Sequence, residues 1–150
     1  MPHSLDAQIA IAVLLFIAAL ALWRGKAPER WMGVILVANE VGYLATYTTT
    51  TPTAEPIGVL IVDALTAFAV IVVASRWRNR QWLKYAAALQ LLEVGTHIAV
   101  AMDLRLMVHY AQVAGALWTI AFMISVLIGT LQVIWSDRRA RRAAKASPPA

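Results

Sequence analysis

Five long apolar runs constrain the fold of this chain more than any other feature of its sequence. They lie at residues 7–23, 31–47, 57–74, 83–102 and 113–135. Each approaches the length of about 20 residues that an α-helix needs to cross the hydrocarbon core of a bilayer, and together they fill about two thirds of the chain. The sequence therefore predicts an all-α integral membrane protein with five transmembrane helices in one bundle.

Composition supports this class and excludes several functions. Of the 150 residues, 61% are hydrophobic and 14% are charged, whereas soluble proteins carry far more charge. The net charge of +5 does not indicate nucleic-acid binding, because the basic residues flank the apolar runs instead of forming a basic face. The chain has no cysteine, so disulfides, iron–sulfur clusters and Cys-ligated zinc are excluded.

The positive charges and the tryptophans orient the predicted helices. Twelve of the thirteen Lys and Arg residues lie in or beside the first connection, the third connection and the C-terminal segment, and Arg105 is the exception. Such residues mark the cytoplasmic side of a membrane protein, so the N-terminus is predicted outside and the C-terminus in the cytoplasm. Five of the six tryptophans lie at the same helix ends: Trp23, Trp31, Trp77, Trp82 and Trp135.

We predict two regions in the chain, a five-helix transmembrane domain at residues 1–136 and a basic cytoplasmic tail at 137–150. The tail is expected to begin as a helix near anionic lipid headgroups and to end disordered, because each basic residue near such a surface contributes about 1 kcal/mol. It can also bind a cytoplasmic partner. The basic residues of the tail are Arg138, Arg139, Arg141, Arg142 and Lys145.

Three carboxylates and one histidine lie inside the predicted spans. Counted at about 1.5 Å per residue from the outer end of each helix, Glu40, Asp63, Glu93 and His97 all fall about 7–14 Å below the outer surface. They can therefore share one layer of the bundle. Of the three carboxylates, Asp63 is nearest to its helix end, so it can also simply reach the headgroups.

Polar stripes on two helices strengthen this prediction. Gln90, Glu93 and His97 follow an i, i+3, i+7 spacing and project from one face of the fourth predicted helix. Glu40 and Tyr43 are three residues apart in the second helix, with Asn39 beside them. The complete set of predicted site residues is Glu40, Glu93, His97, Asp63, Gln90, Tyr43 and Asn39.

The charge balance of this set is more informative than its spacing. Three acids face one histidine, and no Lys or Arg lies at the same depth. Ionised groups inside a membrane are costly, so these acids must be protonated, hold a cation or face water. They predict a site for a proton, a cation or a small ligand. The structural alternative is that the same groups only join neighbouring helices by hydrogen bonds.

As a metal site the set is incomplete for zinc or for a di-iron centre, because it supplies one imidazole and only a single Glu–His pair, Glu93 with His97. Hard cations with oxygen ligands fit better, so a bound cation is possible and no other cofactor is predicted. No nucleophile–base pair or phosphate-binding loop has a recognisable motif, and the chain is not expected to be an enzyme.

Small residues recur along the fifth predicted helix and allow close packing, either within one chain or between copies. We weigh three functions. The first is transport, conductance or sensing through the polar site, and the second is an accessory subunit of a larger membrane complex. The third is a membrane redox subunit or enzyme that uses His97 with Glu93. The expected location is the cell membrane, as in a bacterial inner membrane. The small and polar packing positions are Ala111, Gly115, Thr119, Ser125 and Gly129.

Overall fold

The computed structural model describes residues 5–49, 55–102 and 110–146, and within these ranges the secondary structure is α-helix without a β-strand, with short connections at residues 25–26 and 77–80. The predicted all-α class and the five helices are confirmed, and each helix contains one of the predicted apolar runs. The five helices are α1 (Leu5–Arg24), α2 (Ala27–Thr49), α3 (Glu55–Arg76), α4 (Gln81–Met102) and α5 (Tyr110–Ala146).

The predicted five membrane spans are supported only in part. Two helical segments in the described part of the chain are long and apolar enough to cross a membrane, Ile57–Arg76 and Leu117–Lys145, and Gln8–Arg24 is apolar but shorter. Five spans are not established by length and composition. Polar residues lower the mean hydropathy of α2 and α4, because these two helices carry most of the predicted site residues.

The five helices form a closed ring of neighbours. Each helix packs against the next along the chain, and α1 also contacts α5, which closes the bundle. Contacts between α2 and α3 pair Asn39 with Thr66 and Tyr43 with Asp63, so residue numbers rise on one helix as they fall on the other. The two helices are therefore antiparallel, and this register places the C-terminal turns of α2 beside Asp63.

The apolar core occupies the half of the bundle nearest the α1–α2 and α3–α4 connections. It draws side chains from all five helices, and the opposite half holds most of the buried polar groups. Apolar packing thus holds one half of the bundle, and hydrogen bonds are concentrated in the other. The core includes Leu14, Ile17, Met32, Leu36, Val70, Leu83, Ala86, Phe122 and Val126.

The connection between α1 and α2 is a tight turn at Gly25. A Cβ atom at this position would lie 2.3 Å from the carbonyl oxygen of Ala21, so the close approach of the backbone requires glycine. Oε2 of Glu29 accepts a hydrogen bond of 3.1 Å from the backbone N–H of Lys26, which caps the first turn of α2. Nε of Arg30 donates to the carbonyl oxygen of Gly25 at 3.0 Å. Both polar contacts fix the entry into α2.

Trp82 does not lie at the surface with the other tryptophans of the predicted belt. Its side chain is 5% exposed and its indole ring packs against Gly129 of α5, where a Cβ atom would lie 2.3 Å from a ring carbon. Trp23, Trp31 and Trp135 are exposed, as a position near lipid headgroups requires. Trp82 is therefore a core residue, because only the small Gly129 leaves room for its ring between α4 and α5.

Helix α5 is much longer than a membrane span needs. Its 37 residues extend over about 55 Å, against about 30 Å for the hydrocarbon core of a bilayer. The first ten residues of the predicted tail continue this helix to Ala146, and residues 147–150 lie outside the described part. All five basic side chains of the tail, Arg138, Arg139, Arg141, Arg142 and Lys145, are exposed.

Candidate functional site

Asp63, Glu93 and His97 converge in the polar half of the bundle. One possible ligand atom from each residue lies within 4.8 Å of the other two. Nε2 of His97 is 2.9 Å from Oδ2 of Asp63. We refer to these three residues as the acidic triad.

The helices position the triad in a simple way. Glu93 and His97 are four residues apart on α4, so their side chains leave the same face one turn apart. Asp63 meets that face from α3, which packs against α4. Asp63 is completely buried and Glu93 is 3% exposed, whereas the side chain of His97 is 22% exposed. His97 is therefore the member of the triad whose side chain is partly exposed at the surface of the bundle.

Hydrogen bonds from three more residues orient the carboxylates. The hydroxyl of Tyr43 on α2 donates to Oδ1 of Asp63. Thr119 on α5 donates to Oε1 of Glu93 at 2.9 Å, and Nε2 of Gln90 donates to Oε2 of Glu93 at 2.7 Å. The network joins four helices, and the side chains that carry charge are held in place by neutral donors.

The site has more acidic than basic groups. Within the described ranges the chain has two ion pairs: the His97–Asp63 contact, and a pair between Lys26 and Asp137 at 3.2 Å. No described Lys or Arg therefore neutralises Glu93 or Asp63. Oδ2 of Asp63 also accepts no aligned hydrogen bond despite its burial. A carboxylate oxygen offers about two acceptor positions, so both acids keep free lone pairs for a further ligand.

Not all of the predicted site residues contact the triad network. Asn39 donates to Oγ1 of Thr66 at 2.8 Å, on the stripe of α2 that also carries Tyr43. Glu40 is half-buried and forms no hydrogen bond or ion pair with another described residue, so it lies outside the triad network. The reason is helix rotation: the side chain of Glu40 leaves α2 about 100° from that of Asn39 and about 60° from that of Tyr43.

Some residues of the network were not predicted as part of the site. Thr119 was assigned to helix packing, yet its hydroxyl binds Glu93. Nε1 of Trp118 donates to Oγ1 of Thr96 at 3.1 Å, which ties α5 to α4 beside the triad. The sequence signal for these two α5 residues was the presence of a hydroxyl and an indole N–H at adjacent positions of an apolar helix.

The C-terminal members of the predicted α5 packing positions, Ser125 and Gly129, lie inside the bundle. Ser125 is buried and donates to the carbonyl oxygen of Phe122 at 2.7 Å, and Gly129 contacts Trp82. The side chains of Ala111 and Gly115 fall outside the described part of the chain, as does Arg105.

The donor set of the triad suits a divalent metal ion. Two carboxylates and one imidazole are ligands that first-row ions such as Mn²⁺, Fe²⁺ and Zn²⁺ accept. With bonds of about 2.0–2.2 Å, two opposed ligands of one ion are at most about 4.4 Å apart. Small side-chain rotations would therefore bring three donors that lie within 4.8 Å of one another into bonding distance.

Comparison of the chain with protein-family models, with curated proteins and with solved structures finds no match in any of the three. A functional assignment therefore depends on the geometry and chemistry of the site.

Proposed function

We propose that this chain is a membrane protein with five spans that binds one divalent cation through Asp63, Glu93 and His97, in transport, conductance or sensing. The convergence of these three donors around two buried carboxylates carries the proposal. A divalent cation would neutralise the charge that no described Lys or Arg balances. It would reach the site from the outer face, past the partly exposed His97.

The distribution of apolar side chains supports a membrane location. The most apolar stretches of the two long segments are only 28% and 39% buried inside the chain, whereas a core helix of a soluble protein is mostly buried. Phe16, Leu65 and Phe68 are each more than 60% exposed, while Asp63, Gln90 and Glu93 are buried. A bundle with apolar side chains on its surface and polar groups in its interior is stable in lipid and unfavourable in water.

The same surface supports the inclusion of α2 and α4 as spans. Val34 and Val41 on α2, and Leu91, Leu92 and Ile98 on α4, are exposed at the depths where the polar residues of both helices face inward. Apart from the half-buried Glu40, the polar groups of these helices at the site, those of Asn39, Tyr43, Gln90 and Glu93, are paired within the bundle. Hydropathy averaged around the helix misses this one-sided arrangement.

Cysteine labelling tests the proposed orientation, because the natural chain has no cysteine. Met102 and Ser136 are both exposed, at opposite ends of the bundle. In intact cells, a membrane-impermeant maleimide is expected to label Met102→Cys. Ser136→Cys is expected to react only after the membrane is permeabilised. Equal labelling of both variants in intact cells would contradict the five-span orientation.

The cation site is tested by titrating the purified chain in detergent with Mn²⁺ and measuring bound metal by calorimetry or electron paramagnetic resonance. One site per chain is expected. Glu93→Gln should weaken binding by about tenfold or more, since it replaces a charged ligand but keeps one carbonyl oxygen.

Glu40→Gln is the matched control for Glu93→Gln. It is the same chemical change in a predicted span, at a residue outside the triad network. Its affinity for Mn²⁺ should equal that of the wild type. Equal losses in both variants, or no stoichiometric binding by the wild type, would refute the cation site.

A further inference from the structure

Three adjoining hollows that share lining residues follow one another along α2 and α3. The first hollow and the second share Trp31 and Val34, and the second and the third share Ile35, Ala38 and Ala69. We refer to the whole depression as the α2–α3 groove. Its volumes from the α1–α2 connection outward are about 460, 430 and 230 Å³.

The end of the groove at the α1–α2 connection is basic. Lys26 and Arg30 line it together with Trp31. The bond from Nε of Arg30 to the carbonyl oxygen of Gly25 fixes the guanidinium, and its two terminal nitrogens bind no other described residue. Arg76 lines the next hollow beside Trp77. Lys26 is paired with Asp137 at 3.2 Å, so Arg30 and Arg76 are the cationic side chains of these two hollows without an acidic partner among the described residues, beside the indoles of Trp31 and Trp77.

The rest of the groove is apolar. Its walls are Val34 and Ile35 of α2 and Phe68, Val72 and Val73 of α3. The polar groups at the far end, Asn39 and Thr66, are hydrogen-bonded to each other. The groove therefore offers charge at one end and no unpaired polar group at the other.

The length of the groove matches one leaflet of a bilayer. Trp31 and Gly42, at the two ends of its α2 wall, are 11 residues apart, which corresponds to about 16 Å along the helix. Half of the hydrocarbon core of a bilayer is about 15 Å thick. An acyl chain anchored by its headgroup at the Trp31 level would reach the end of the groove.

We propose that the α2–α3 groove binds one anionic phospholipid of the cytoplasmic leaflet. The headgroup phosphate contacts Arg30, and an acyl chain lies between α2 and α3. The proposal rests on the membrane location given under the proposed function, but not on the cation site. Charge complementarity selects an anionic lipid over a zwitterionic one, and the apolar walls select a lipid over free phosphate.

Lipid retention tests this proposal directly. The purified full-length chain in mild detergent is mixed with equal amounts of phosphatidylglycerol and phosphatidylcholine with the same acyl chains, and bound lipid is measured by native mass spectrometry. Wild type should retain one phosphatidylglycerol in preference to phosphatidylcholine, and inorganic phosphate should not displace it. Arg30→Gln should reduce phosphatidylglycerol binding by about fivefold, and Arg142→Gln, the same change on the exposed tail, should not.

A second pair of variants tests the apolar part. Ala38→Trp fills the groove and should abolish the preference for phosphatidylglycerol, whereas Ala88→Trp, on an exposed position of α4, should preserve it. Equal retention of both lipids by the wild type, displacement by inorganic phosphate, or an equal effect of Arg30→Gln and Arg142→Gln would overturn the lipid site. Glu93→Gln should retain lipid like the wild type, so loss of cation binding and loss of lipid binding are distinguishable.

Discussion

Gly129→Ala is expected to destabilise the bundle strongly, whereas the same substitution at Gly95 is expected to be neutral or stabilising. A Cβ atom at residue 129 would lie 2.3 Å from a ring carbon of Trp82, which real Cβ contacts do not approach. Trp82 is buried and its ring is rigid, so relief requires α4 and α5 to separate. Overpacking of this kind costs about 1–3 kcal/mol.

Gly95 provides the control within the same fold. No atom lies within 4 Å of the corresponding Cβ position, and the residue is exposed on α4. Alanine there gains about 1 kcal/mol of helix propensity. Thermal unfolding in detergent, followed by circular dichroism, should place Gly129→Ala below the wild type and Gly95→Ala at or above it. Similar melting of the two variants would contradict the packing described for Trp82.

A double variant tests whether Trp82 is the residue responsible. Trp82→Leu alone should destabilise the protein, because it removes part of a buried ring. In the Gly129→Ala background the smaller leucine also removes the clash. The combined loss should therefore be smaller than the sum of the two single losses, by about 1 kcal/mol or more. Strict additivity would show that Gly129 and Trp82 do not interact.

Asp63→Asn is expected to abolish divalent-cation binding, with a loss of affinity of more than about 100-fold, since even residues that only support a ligand contribute 10–100-fold. Asp63 is the most buried residue of the triad, and the substitution leaves Tyr43 and His97 without their charged partner. Asp137→Asn is the control, because it removes another acid whose ion pair is exposed. Mn²⁺ titration should separate the two variants.

A ligand exchange distinguishes metal binding from a general structural role for Asp63. The double variant Asp63→His with His97→Asp keeps one imidazole and two carboxylates in the same space. It should bind Mn²⁺ more tightly than either single variant. If the exchange has no better affinity than Asp63→Asn, or if Asp137→Asn is equally impaired, Asp63 is not a ligand.

The sequence was sufficient for the helices but not for their rotation. Long apolar runs determine where a helix can begin and end, and each of the five runs lies inside an observed helix. Glu93 and His97 were recognisable as neighbours because their spacing is local to α4. The placement of Asp63 beside them depends on the antiparallel register of α2, α3 and α4, which no local pattern records.

Glu40 and Trp82 each show what local patterns in the sequence do not determine. Depth along a helix can be counted from the sequence, and Glu40 lies in α2, but the stripe that faces α3 is the one with Asn39 and Tyr43. Trp82 has the composition and position of a headgroup anchor, yet Gly129, 47 residues later, makes room for it in the core. Such long-range complementarity appears only when the helices are assembled.

The separation of the apolar core from the polar half has a mechanical consequence. The half nearest the α1–α2 and α3–α4 connections is held by apolar packing, whereas the opposite half is held through hydrogen bonds that meet at Asp63 and Glu93. An ion at 100 times its dissociation constant adds about 2.7 kcal/mol to the stability of the form that binds it. With the proposed ion bound, the half of the bundle that contains Asp63 and Glu93 would be stabilised, whereas the apolar half would be unchanged. In the proposed orientation, the concentration of the ion outside the cell would therefore set the stability of the polar half alone.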